Sequence, residues 1–163
     1  MDVNSPGIDV SATITRPANT TAYTAGDAIG QADAVVAANA GTAVLVFQNV
    51  PPKAVVEGAT IRIDVSAIPS GMTTLRLHLY SAAPTAILDN AAWDLVAGDR
   101  AHYLGYIDLT PVDLGSTIWA QFDSVNKRVS CSGGDLYGIL QTVGAFTPSS
   151  ETVKVVTLKI VAL

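Results

Sequence analysis

The feature that most constrains this chain is a repeated alternation of apolar and polar residues with a period of two. Ile61, Ile63, Val65 and Ala67 alternate with Thr60, Arg62, Asp64 and Ser66. Side chains on an extended strand point to opposite faces in turn, so this pattern predicts a strand with one buried and one wet face. Ile68-Pro69-Ser70-Gly71 interrupts it, and Leu75, Leu77 and Leu79 then alternate with Thr74, Arg76, His78 and Tyr80. Pro and Gly beside a Ser predict a hairpin or a sheet-to-sheet crossing at that break. Near the end, Val156, Leu158, Ile160 and Ala162 face one way, and Val155, Thr157, Lys159 and Val161 the other.

Further strands are expected over Ile8–Thr15, Ala43–Asn49, Leu104–Leu109, Thr117–Asp123, Lys127–Cys131 and Leu136–Val143. Turn clusters separate them, such as Thr110-Pro111-Val112-Asp113 and Ser130-Cys131-Ser132-Gly133-Gly134-Asp135. The 13 glycines and 8 prolines are spread along the chain, as suits a β protein with many turns. Helical signals are short. The best helical candidate lies within Asn90–Val96, after Asp89 as N-cap, and the alanine-rich stretch Gly30–Gly41 reads equally as a helix or as a loop with a helical turn. Eight or nine short strands without a repeat predict an all-β, antiparallel two-sheet β-sandwich, with a jelly roll as the leading topology and a closed barrel second. Residues 1–163 read as a single β-sandwich domain, with 16–42 as an extended arm or surface loop.

Composition narrows the function. Nine Lys and Arg against 14 Asp and Glu give a net charge of −5. That balance argues against a nucleic-acid or anionic-membrane partner, because both need clustered cations against phosphate. Only 14% of residues are charged while 49% are hydrophobic, so either neutral polar groups or other subunits must cover the surface. Contacts are expected in the Ala-, Val- and Gly-rich connections Gln31–Gly41 and Ala82–Ala97. The start, Met1–Gly7, lacks the basic and apolar regions of a Sec signal. No apolar run approaches the ~20 residues of a membrane helix.

Few parts exist for catalysis. His78 and His102 are the only histidines, and no H-x-E, H-E-x-x-H or C-x-x-C spacing occurs. His78 falls on the polar face of its strand, which predicts a solvent-exposed or inter-subunit side chain. Cys131 is the single cysteine, with no neighbouring base to activate it, and reads as a small buried hydrophobe. Asp89, Asp94 and Asp99 are too widely spaced for a calcium loop. They read as turn and cap residues, although a glycosidase pair is a rival. Trp93 and Trp119, with five tyrosines, suit packing first and a sugar platform second. The chain therefore reads as no enzyme, with no cofactor and no metal.

Three stretches carry a resemblance. They are Thr15–Gly30, beginning Thr15-Arg16-Pro17-Ala18-Asn19; then Leu75–Tyr80 with Pro84-Thr85, Asp89–Leu95 and Asp99–Ile107; and finally Leu136–Leu140 through Ala145–Pro148 to Val156–Leu158. Together they resemble tailed-bacteriophage virion structural proteins over most of the chain. The resemblance implies a capsid decoration (cement) protein of jelly-roll type, often trimeric. Its partners would be the major capsid protein and its own copies, and its place the capsid surface after synthesis in the host cytoplasm. No catalytic residue is carried over. A carbohydrate-binding fibre or tail module is the alternative. Arg16, Pro17, Tyr23 and Trp93 are the candidate interface residues.

Overall fold

The computed structural model describes residues 7–31 and 42–163. Its regular structure there is almost wholly β. The first strand, β1 (Ile8–Thr15), keeps its alternation: Val10, Ala12 and Ile14 are buried while Asp9, Ser11 and Thr13 are exposed. It pairs antiparallel with β11 (Val153–Ala162), setting Ser11 opposite Thr157 so that their hydroxyls meet at 2.7 Å on the wet face. On its other edge β11 pairs with β4 (Lys53–Ile63), and β4 with β8 (Ile118–Phe122) and β9 (Lys127–Ser130). The two-residue β7 (Val112–Asp113) closes this sheet, whose order is β1-β11-β4-β8-β7 with β9 beside β4.

The second sheet runs from β10 (Asp135–Thr142) to β5 (Leu75–Tyr80) to β6 (Tyr103–Leu109). On its far side β10 carries β2 (Ala28–Ile29) and β3 (Val44–Gln48) on successive stretches. Taking β2 with β3 and β8 with β9 as single lines, and setting β7 aside, leaves eight strands. The first then pairs with the last, the second with the seventh, the third with the sixth and the fourth with the fifth. That nesting of pairs across two antiparallel sheets is the jelly roll expected from the strand count.

The sheets bury one apolar layer between them. Leu75, Leu77 and Leu79 of β5 face Ile61, Ile63, Val156 and Leu158 from the opposite sheet. Each such side chain, fully withdrawn from water, contributes roughly 1.5–3 kcal/mol. The break after β4 is a sheet-to-sheet crossing and not a hairpin, because β4 and β5 lie in different sheets. Gly71 turns this crossing with φ +90°, and a Cβ there would overlap the carbonyl oxygen of Ala145.

Three expectations change. The alternation read from Thr60 to Ala67 belongs to a strand that begins at Lys53 and stops at Ile63. There the Val65 amide turns back to the Ile63 carbonyl, at 2.9 Å. No helix forms over Asn90–Val96, where the chain bridges and turns instead; the neighbouring element is a single 3₁₀ turn at Ala97–Asp99. Asn90 has φ +63°, which breaks a right-handed helix at its first residue, and Asp89 is engaged elsewhere instead of capping. His78 is buried and not exposed, because residues 81–101 fold over the outer face of the second sheet and cover it. Of the stretch 16–42, residues 16–31 lie along this protomer. Tyr23 bridges Phe146, Gly26 donates to the Thr142 carbonyl at 2.8 Å, and β2 joins β10. The alanine-rich residues 32–41 lie outside the described residues.

Candidate functional site: buried polar clusters and an exposed apolar edge

Three arrangements stand out from the packed sandwich. The first closes one end of it. Arg16 follows β1 and its guanidinium is 0% exposed, with its donors spent on neighbours of the same loop. Nε donates to the Tyr23 hydroxyl at 3.2 Å, one terminal nitrogen to both Asn19 oxygens at 2.6 and 2.7 Å, and the other to the Thr21 carbonyl at 2.7 Å. The guanidinium also lies 4.7 Å from the Tyr23 ring centroid, a cation–π contact. The Tyr23 hydroxyl in turn donates to Asp89 at 2.6 Å, and Asp89 accepts a second bond from the Gly30 amide at 2.8 Å. Burial, reinforced by the Asp89 carboxylate, drives the Tyr23 phenol far above its ordinary range. Lys154 projects into this end of the core from β11, beside Ile14 and Ile63 in the register.

The second arrangement is the aromatic cover of the second sheet. His78 stacks on Trp93 with centroids 3.7 Å apart and planes 12° from parallel. Its ring nitrogens meet the Tyr103 hydroxyl and the Gln141 side-chain oxygen, each at 3.0 Å. Burial pushes the imidazole down to about 4, against the opposing pull of the Gln141 bond. Beside it, Arg76 and Asp108 form a two-bonded pair at 2.7 and 2.9 Å, and Arg76 lies 4.1 Å from the Tyr106 ring centroid. The Arg76 bond holds the Asp108 carboxyl below the usual carboxylate range.

The third is a wet, partly apolar edge. β7 ends its sheet, and Val112 and Leu114 there are 55% and 63% exposed. Phe122 and Tyr106 are also exposed, and with Asp108, Ser124 and Lys127 they help to line an open cleft of about 400 Å³. An edge strand with apolar side chains and free backbone groups is a template for another chain.

The residues singled out from sequence fall as follows. Arg16, Pro17 and Tyr23 are buried within this protomer, and Trp93 is half-buried against His78. Arg16 and Tyr23 meet in one cluster; Trp93 belongs to the other. Of the aspartates, Asp89 is buried, Asp94 exposed, and Asp99 accepts from the Thr85 amide and hydroxyl at 2.9 and 3.2 Å. Asp99 acts as the turn residue that its type suggests. Cys131 is fully buried, and desolvation raises its thiol, as befits a small core residue. Among the described residues, no three His, Cys, Asp or Glu side chains converge to hold a metal ion. No helix among them is long and apolar enough to cross a membrane. Lys154, the Arg76–Asp108 pair and the β7 edge were not singled out from sequence. Lys154 had a usable signal, since it lies two residues before Val156 in the inward phase.

No protein-family model matches the chain, and no curated protein matches it. Solved structures do overlap it. The capsid of Ralstonia phage GP4 aligns with a TM-score of 0.47 and 16% identity, over 100% of this chain and 88% of that one. Tomato aspermy virus aligns at 0.36 and 14%, over 96% and 78%. A putative sugar-binding protein from Bacteroides thetaiotaomicron aligns at 0.31 and 9%, over 92% and 83%.

Proposed function

We propose that this protein is a non-enzymatic bacteriophage virion structural protein, a capsid decoration (cement) protein that binds the outer capsid surface and stabilises the head. The observation that carries the reading is the β7 edge, where Val112 and Leu114 stand exposed at the outermost strand of its sheet in a chain with only 14% charged residues. The sequence resemblance and the jelly-roll topology support it. Each copy would bury this edge against the major capsid protein or a sister subunit. A homotrimer would multiply weak contacts by avidity. A net charge of −5 suits a surface turned away from packaged DNA.

The test is co-sedimentation of the protein with its own empty capsids, together with its molar mass by light scattering. Trimers that saturate the shell are the expected result. A monomer with no affinity for the capsid sinks the reading. The carbohydrate alternative, a glycan-binding module on a fibre or tail, is favoured by the open cleft whose lining includes the exposed rings of Tyr106 and Phe122 with Asp108 and Lys127. Glycan-array binding that is lost in Tyr106→Ala would favour it over the cement role.

A further inference from the structure

Strand β6 ends the second sheet. β5 holds one side of it, and among the described residues no strand pairs with the other. No further backbone hydrogen bond reaches Tyr103–Leu109 there. The cleft of about 400 Å³ runs along this edge. Tyr106, Ile107 and Asp108 all line it, and they are consecutive, so their side chains alternate between the two faces of the sheet. The surface that three such residues share is the backbone edge of the strand. The rest of the lining comes from the end of β8 to the start of β9, and includes Phe122, Ser124 and Lys127.

The charged residues of the cleft are Asp108 and Lys127. Both Asp108 oxygens are taken by Arg76, at 2.7 and 2.9 Å. Lys127 has no hydrogen bond or ion pair among the described residues, so the uncommitted charge is one ammonium. That ammonium leans on the edge strand, with Nζ 3.2 Å from where a Cβ on Gly105 would lie. A lysine over an edge guards it, because a neutral strand laid there would strip the ammonium of water without giving it a partner. A strand that brings a carboxylate to the same place would pair with it.

We propose that the β6 edge is a docking site for an extended segment of a partner protein, added as a further strand, with an Asp or Glu side chain set on Lys127. Backbone bonds to β6 would supply the affinity, and the Lys127 pair the choice of partner. The exposed rings of Tyr106 and Phe122 would meet side chains of the added strand. A second copy of this chain fits less well, since its own β6 offers only Asp108, which Arg76 already holds. The inference does not rest on the cement reading, which uses the β7 edge.

The experiment is an NMR titration of the full chain with capped hexapeptides of alternating Thr and Val, one with a central Glu and one with a central Lys. A third probe is the Glu peptide N-methylated throughout, which removes its backbone donors and keeps its side chains. The Glu peptide should shift the amides of β6 and Lys127 to saturation and slow hydrogen exchange along β6. The Lys peptide should bind roughly tenfold more weakly, and the methylated peptide not at all. Lys127→Glu should reverse the order of the two charged peptides. The proposal is overturned if no peptide shifts β6, or if Lys127→Glu leaves the order unchanged. It also fails if the methylated peptide binds as well as its parent, which would assign the cleft to side chains or sugars. Protection of β6 that grows with protein concentration alone would give the edge to a second copy and overturn it too. If Lys127→Glu fails to fold, Lys127→Gln should bind both charged peptides equally, and a retained preference for Glu sinks the idea.

Discussion

Lys154 occupies a core position because β11 keeps its period of two through a charged residue: Lys154, Val156, Leu158 and Ile160 are all buried on one face. Burial lowers its ammonium to about 8 from the usual 10.5, with Arg16 pushing the same way and Asp89 opposing. A proton held more weakly in the folded state than in the unfolded one makes stability rise with pH between those two values. The stability of wild type relative to Lys154→Met should therefore rise from pH 8 to 10.5, as urea titrations of both proteins at each pH would show. His78 behaves alike in the acid range. Its folded value of about 4 lies below the ordinary 6.5, so its contribution is full above pH 6.5 and falls away as pH drops toward 4. The loss amounts to roughly 3 kcal/mol at most. His78→Gln should remove that slope, measured as the difference between variant and wild-type unfolding curves over pH 4–6.5.

At the scale of elements, the segment 81–101 turns the second sheet into a buried layer. Trp93 lies over His78, its indole nitrogen donates to the Tyr80 hydroxyl at 3.3 Å, and its amide donates to the Gly26 carbonyl at 2.9 Å. Trp93→Ala should uncover the imidazole and return its titration toward 6.5, readable by NMR of the His78 ring. The crossing between β4 and β5 depends on a different constraint. Gly71 needs both positive φ and the space a Cβ would take from Ala145. Gly71→Ala should therefore cost more than about 2 kcal/mol by urea unfolding. Most of the strands were legible, since alternation marks β1, the end of β4, β5 and β11. The expected range for the first strand matches β1 residue for residue. β2 and β7, at two residues each, carry no period and owe their pairing to β10 and β8. The helix expected at Asn90–Val96 failed because contacts from distant β2 and Gly26 claim that segment.

For the whole molecule, the scarcity of charge and the exposed β7 edge bear on assembly. Val112→Lys with Leu114→Lys should leave stability within about 0.5 kcal/mol of wild type, because both side chains are already wet. The same pair should lower the molar mass or the capsid affinity, measured by light scattering and co-sedimentation. Unchanged association with wild-type stability would move the interface elsewhere.

By itself, the sequence determined the class of the fold and the absence of local catalytic motifs, because both follow from neighbours along the chain. Period-two runs dictate strands, and turn residues dictate their ends. Tertiary structure alone decided the environment of individual polar side chains. His78 had the sequence position of a wet residue and Arg16 that of a strand end, yet both are buried. Lys154 shared a phase with valine and leucine and became a desolvated cation. Burial depends on what folds over a residue from a distant part of the chain, and no local pattern records that.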